Sequence, residues 1–205
     1  MKTEILAGEH AVAIRHAADV LNHGGLVAFP TDTVYGLAAI PFHSEMVEGL
    51  FAVKGRVNTK AIAVLVGDIA QVERVAIKMT GTPLCLAERF WPGPLTLVVP
   101  GKEDLPDILS QDHSVGVRMP DHPLALALLR EVGPLAVTSA NLSGQENATT
   151  AQEVLAQLGG RIHLILDGGR APGRVPSTVV DCCGPELKLL REGPISLDQL
   201  KEALK

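Results

Sequence analysis

Apolar positions along the 205-residue chain alternate between a helical period and short unbroken runs. Residues 11–23 place Val12, Ile14, Ala17, Val20 and Leu21 at helical spacing, and Gly24-Gly25 ends that helix. The run at 26–30 predicts a buried strand. Ser44 is a cap for a helix carrying Met46, Val47, Leu50, Phe51 and Val53 on one face and stopping at Gly55. AIAVLV at 61–66 is short, apolar and bounded by polar residues, which favours a strand. Asp68 starts a predicted helix to Met79, and Thr82-Pro83 opens another to Phe90. Further strands are expected at 95–99, 115–118, 134–138, 162–166, 177–181 and 187–190, with helices at 122–131 and 150–158. Thr150 with Glu153, and Ser196 with Gln199, have capping-box spacing. Continuous apolar strands between helices describe a covered sheet. The fold class is α/β, or mixed α+β, with residues 1–205 read as one domain.

Composition changes this picture little. Hydrophobic residues make up 46% and charged residues 20%, an ordinary globular balance. No apolar run reaches the roughly 20 residues that span a bilayer. The opening MKTEILAGEH is too polar for a secretory signal. The cysteines, Cys85, Cys182 and Cys183, form neither a disulfide framework nor a C-x-x-C pair. A reducing cytoplasm is the expected compartment. The net charge of −5, the pI near 5.8 and 3% aromatics argue against broad nucleic-acid binding.

The candidate chemistry lies where predicted strands end, the usual ligand position in α/β sheets. Five clusters stand out: Thr31-Asp32-Thr33; the basic trio Lys54, Arg56 and Lys60; Arg118; TSANLSG from Thr138 to Gly144; and PSTVVD (176–181) with Arg191. Taken singly, most read blandly. Thr31 to Thr33 suits a turn, the trio a solvated loop, and TSAN a strand exit. Arg118 ends an apolar strand, and an arginine there needs partners. Together, cations and hydroxyls at the ends of different strands describe an anion pocket. There is no P-loop, no G-x-G-x-x-G and no G-x-S-x-G. DGGRAPGR (167–174) reads as a flexible loop, with a phosphate nest as its alternative. Ser139 with His163 as a hydrolytic pair has no supporting spacing.

In this order, FPTDTVYGLA, KGR, RFWPGPLTLVV, VGVRMPDHP, TSANLSG and PSTVVD…LREGPI resemble the YrdC-like family of threonylcarbamoyl-AMP synthases, from about residue 9 to 195. The family's K-x-R and S-x-N signatures fall on Lys54/Arg56 and Ser139/Asn141. The chain departs from the pattern at Val57 and Ala61, where family members commonly have proline. The resemblance is to the short, single-domain form. It implies a twisted sheet around a concave basic cavity that joins L-threonine, bicarbonate (or carbon dioxide) and ATP, with magnesium on the phosphates. Pyrophosphate is released, and a separate complex transfers the threonylcarbamoyl group to tRNA. The implied threonine site is Thr33, Arg118, Thr138 and Ser177. The implied ATP site is Lys54, Arg56, Lys60, Ser114, Ser139, Asn141, Thr149 and Arg191, with Lys54 and Arg56 also catalytic. Asp32 is assigned to a turn, with reaching magnesium as its alternative, and Tyr35 and Trp91 to packing. Two other readings remain open: weak RNA binding in the same basic cavity, and a related carbamoyl-transfer or hydrolytic activity.

Overall fold

The computed structural model describes residues 2–55, 62–110, 112–173 and 175–205. Among these, one mixed sheet holds ten strands: β1 (Glu4–Ala7), β2 (Val27–Phe29), β3 (Gly36–Ala39), β4 (Ala63–Leu65), β5 (Leu95–Pro100), β6 (Ser114–Arg118), β7 (Leu135–Ser139), β8 (Leu164–Asp167), β9 (Thr178–Asp181) and β10 (Lys188–Arg191). Their spatial order is β1-β8-β2-β3-β7-β4-β6-β5-β9-β10. The sheet is therefore mixed α/β, as the apolar runs imply. Four pairs are parallel (β1 with β8, β8 with β2, β4 with β6, β5 with β9) and the others antiparallel. The helices are α1 (Ala11–Asn22), α2 (Ser44–Val53), α3 (Thr82–Phe90), α4 (Pro123–Val132), α5 (Ala151–Leu158) and α6 (Leu197–Glu202).

Two apolar cores flank the sheet. On one face, α1 and α4 pack on Val27, Phe29, Ala38, Leu135, Val137, Leu164 and Leu166. On the other, residues of α2, α3 and α5 join Leu37, Val64, Leu97, Val115 and Val117. The period of two along each strand assigns alternate residues to the two cores. Helices α1 and α4 thus cover one half of their face. The other half, over β4, β6, β5 and β9, is left for a cavity.

The structure departs from the sequence reading in several places. The helix expected from Asp68 to Met79 is a 3-10 helix, Ile69–Arg74, capped by Asp68 accepting from the Gln71 N–H at 3.0 Å. Beyond it the backbone pairs with a strand instead: Ile77 N–H donates to Pro100 O and Lys102 N–H to Val75 O. β1 and β3 were not anticipated; both are four residues long, and β3 (GLAA) has no β-branched residue. Ser44 and Thr82 lie inside their helices, whose caps are His43 and Gly81. The Ser196–Gln199 capping box is complete. At α5 only half forms: Thr150 accepts from Glu153 N–H, while the Glu153 carboxylate turns to Thr149. Those bonds from Thr149 hold the Glu153 carboxyl below its usual pKa.

Leu128 on α4 is fully buried between α1 and the sheet. Leu128→Ala is expected to destabilise by about 3 kcal/mol through lost burial and the cavity left behind. Denaturant unfolding should show a lower midpoint at unchanged slope.

Candidate active site

The uncovered half of the α1/α4 face is a cavity of about 470 Å³, in the range of small-molecule sites. Small residues keep its floor open. Gly36, Ala63 and Gly116 lie on it or beside it, and a Cβ on Gly36 would come within 2.7 Å of Val137 Cγ1. Thr31, Thr33 and Val34, from the β2–β3 connection, fold over one side. The described wall carries two cations, Arg118 and Arg191, and no carboxylate.

Sheet register sets the geometry. Arg118 is level with Leu65 on β4, and its neighbour Val117 faces Leu97, which sets Arg118 beside Thr96 on β5. Thr96 is level with Val179 on β9, and Val179 with Arg191 on β10. Arg118, Thr96, Val179 and Arg191 therefore form one row across four strands. Ser139 lies at the other end. It faces Gly36, two residues beyond the Val137–Ala63 pair. β6 and β7 run in opposite directions, so their carboxyl ends, Arg118 and Ser139, lie at opposite edges of the sheet. Four residues separate their levels, about 13 Å along the strands. The clusters do not share one carboxyl rim, as strand-end reasoning alone suggests; they bracket a cavity lying across the sheet.

At the arginine end, Arg118 is 6% exposed. Its Nε–H donates to Gly93 O at 3.0 Å, Nη1 to Thr33 Oγ1 at 3.2 Å, and Nη2 to Asp32 Oδ1 at 2.5 Å. Desolvation pulls its pKa below the ordinary arginine value, against the opposing charge of Asp32. Of its five N–H groups, three are engaged among the described residues, leaving two. Asp32 is thus more than a turn residue: it is the counter-ion of Arg118, and its buried Oδ2 has no hydrogen-bond partner among the described residues. Thr31 does act as a turn residue, donating to Val34 O at 2.7 Å and accepting from Thr33 and Val34 N–H. Ser177 Oγ lies 2.8 Å from Thr96 Oγ1 and accepts from Arg191 Nη2 at 3.0 Å. Arg191 Nε also donates to Ser177 O, and burial lowers its pKa. Arg191, expected on the nucleotide side, therefore stands in the Arg118 row. Thr96 was not singled out from sequence; its signal is a lone hydroxyl inside an apolar strand.

At the serine end, Lys54, Ser139 and Asn141 form one hydrogen-bonded corner. The Lys54 ammonium donates to the carbonyls of Ser139 and Asn141, the latter at 2.7 Å, with Asn141 Oδ1 at 3.4 Å. Asn141 Nδ2 donates to Leu142 O and Gln145 O. Thr138 and Ser139 are on the cavity wall; Lys54 and Asn141 stand behind it. Ser114 starts β6, at the edge away from Arg118, and its hydroxyl donates to Asp112 at 2.6 Å, which holds that carboxyl below its usual pKa. Thr149 is buried outside the wall, donating to Glu153 and accepting from Arg170 Nη1. Arg56 and Lys60, with Val57 and Ala61, lie outside the described residues.

Three further sequence readings resolve. His163 Nδ1 accepts from Leu26 N–H at 3.0 Å, at the start of β8, so it does not pair with Ser139. The loop after β8 is tied down, with three of its amides engaged within the chain. Its Gly169 amide donates to Asp167, Ala171 to Thr149 O, and Gly173 to Thr33 O. Tyr35 packs, fully buried, with its hydroxyl on Gly169 O at 2.7 Å. Trp91 packs too, its indole N–H donating to Leu95 O. Among the described residues no three His, Cys, Asp or Glu gather to hold a metal, and no helix is long and apolar enough to cross a membrane.

A family model for Sua5, YciO and YrdC proteins, described as "Telomere recombination", matches residues 19–193. A Bacillus subtilis protein named threonylcarbamoyl-AMP synthase is 42% identical over 194 residues, which cover 93% of this chain and 56% of that protein. A Mycobacterium tuberculosis protein named putative threonylcarbamoyl-AMP synthase is 41% identical, with 92% of this chain and 87% of that one covered. A solved structure of Pyrococcus abyssi Sua5 complexed with L-threonine superposes with a TM-score of 0.93 at 36% identity, over 100% of this chain and 61% of that one. The chain thus spans little more than half the length of the Bacillus and Pyrococcus relatives.

Burial, with the nearby Asp167 charge, pushes the Tyr35 phenol up to about 12 from 10.0. A raised folded pKa means that the native state holds the proton longer. The resulting stability is complete below pH 10 and is lost as pH rises toward 12. Tyr35 is the chain's only tyrosine. Phenolate absorbance should therefore titrate near 12 in folded protein and near 10 in denaturant; a native midpoint near 10 would contradict the burial.

Proposed function

The chain belongs to the Sua5, YciO and YrdC family, and we propose that it is a threonylcarbamoyl-AMP synthase. It joins L-threonine, bicarbonate or carbon dioxide, and ATP, and releases pyrophosphate. Residues 1–205 act as one catalytic domain in the cytoplasm. The product passes to a separate complex that transfers the threonylcarbamoyl group to tRNA. The observation that carries this reading is a described cavity wall with two arginines and no carboxylate, suited to reactants that bring a carboxylate, a carbamate and a triphosphate together.

The chemistry asks for positioning and charge compensation. The threonine ammonium releases one proton to solvent to give the free amine, and the amine releases a second as its nitrogen bonds carbon dioxide, leaving a carbamate anion. A carbamate oxygen attacks the α-phosphorus of ATP, and the bond to pyrophosphate breaks. Arg118 receives the threonine carboxylate on its two remaining N–H groups, a bidentate fork. Thr33 Oγ1, beside it, contacts the threonine hydroxyl. Ser177 and Thr138 border the carbamate. Arg191 faces the α-phosphate, which must come within bonding distance of the carbamate, and this reconciles its nucleotide role with its place in the Arg118 row. The remaining nucleotide extends toward Ser139, Asn141 and Lys54, with Arg56 and Lys60 on the triphosphate. Lys54 holds the Ser139–Asn141 corner and adds positive charge there. Ser114 and Thr149 belong to the nucleotide side at longer range. Magnesium enters with ATP as part of the substrate.

Purified protein with ATP, threonine, bicarbonate and magnesium should release pyrophosphate only when threonine and bicarbonate are both present, with the adenylate seen by mass spectrometry. Salt-dependent RNA retention without turnover would transfer the site to an RNA-binding reading. Arg118→Lys should raise the KM for threonine by about tenfold or more, since an ammonium cannot reproduce the fork. Its KM for ATP should change by less than about twofold. An unchanged threonine KM would remove the clamp assignment.

A further inference from the structure

The loop after β8, residues 167–173, lies outside the cavity wall, yet it is fastened to the segment that carries Thr33. Gly173 N–H donates to Thr33 O at 3.1 Å. Tyr35 Oη donates to Gly169 O at 2.7 Å, two residues beyond Thr33 along the chain. Ala171 N–H donates to Thr149 O, and Tyr35 N–H to Ala148 O, so one short segment ties both partners together. The fit is close at two glycines. A Cβ on Gly168 would lie 2.8 Å from Pro30 Cγ, and one on Gly173 would lie 3.2 Å from Thr33 O and 3.5 Å from Thr33 Cα. Gly173 is not in the left-handed region, so its lack of a side chain answers this close approach and not a backbone requirement.

We propose that the 167–173 loop is a positioning element for amino-acid recognition, with Gly173 setting the height of Thr33 over the Arg118 guanidinium. Thr33 Oγ1 already accepts from Arg118 Nη1 at 3.2 Å, so moving Thr33 also disturbs a contact that holds the guanidinium. Thr33 Oγ1 touches the Arg118 guanidinium, while the strand it leads into, β3, pairs with Ser139 through Gly36. A shift of a few tenths of an ångström at Thr33 acts on the amino acid directly and on the Ser139 corner only through β3, which its pairing with β7 holds in register. This inference rests on the threonine-site reading given above.

Gly173→Ala tests it. The added methyl must push Thr33 by a few tenths of an ångström, which should raise the threonine KM about five-fold while the ATP KM stays within about twofold. Gly184→Ala is the control: it adds a methyl where nothing lies within 4 Å, and should move neither constant. Tyr35→Phe removes the second fastening and should act in the same direction as Gly173→Ala. Calorimetric titration of threonine into each protein separates binding from turnover, and thermal unfolding identifies any variant that simply folds poorly. Equal changes in both KM values, or none in Gly173→Ala, would overturn the positioning role while the synthase reading stands. Wild-type protein that neither binds threonine nor turns it over would overturn both. A selective loss of threonine affinity in folded Gly173→Ala and Tyr35→Phe proteins would support the role; selective loss in Gly173→Ala alone would assign it to Gly173.

Discussion

A guanidinium buried in the face of a sheet has to be paid for, and the site is organised around how Arg118 is. An unpaired charge at that depth would cost several kcal/mol. Asp32 supplies the opposite charge, Thr33 a hydroxyl and Gly93 a carbonyl, and these come from two loops far apart in sequence. Each loop is pinned in turn. The Asp32–Thr33 segment is closed by the Thr31 turn and held by Gly173. Gly93 N–H donates to Met119 O, so the Gly93 loop and the end of β6 hold one another. Satisfying one arginine therefore fixes the entry loops of the cavity.

The cavity exists because helices cover only half of one face. Where α1 and α4 pack, the sheet presents Val27, Phe29, Leu135 and Leu164; beyond them the same face offers Ala63, Gly116, Thr96 and Arg118. Large apolar side chains pull helices down onto a sheet, whereas small and polar ones do not. The residues that open the space and those that line it are thus interleaved on the same strands. Register then does what no single motif does. It sets Arg118 and Arg191 in one row, and it places Ser139 at the far end.

Much of this was legible in the sequence. Long apolar runs located eight of the strands, and the helical period located the principal helices, because burial on both faces leaves a plain pattern. Two strands escaped because β1 and β3 are short and carry small or mixed residues. The 68–79 segment escaped because a capping aspartate marks the start of a helix without fixing its type, and pairing with β5 then ended it. Among the site residues, Thr33, Ser177 and Arg118 line one cavity, and Arg191, expected on the nucleotide side, joins them because β10 pairs with β9. Asp32 and Thr96 were passed over for opposite reasons. Asp32 sat where a turn explains an aspartate, and Thr96 sat where strand propensity explains a threonine. Their meaning comes from partners 86 and 81 residues away, and local pattern holds no record of such distances.

The position of Asp32 also decides what the Arg118 pair does to a ligand. Were this carboxylate on the cavity wall, it would repel the anions the cavity is shaped to hold. It is not part of the described wall, whereas Arg118 is, and 12% of its side chain is exposed. A ligand approaching from the cavity meets the N–H groups first and the carboxylate only at greater distance, so in a poorly screened site the near positive charge dominates. The ion pair behaves as an oriented dipole with its positive end toward the cavity. The same contact fixes the guanidinium plane before any ligand arrives, which lowers the ordering cost of binding. One buried aspartate thus makes the arginine tolerable to the fold without silencing it toward the cavity, and Arg191, whose pKa is shifted by burial with no carboxylate contributing, adds a second positive charge along the same row.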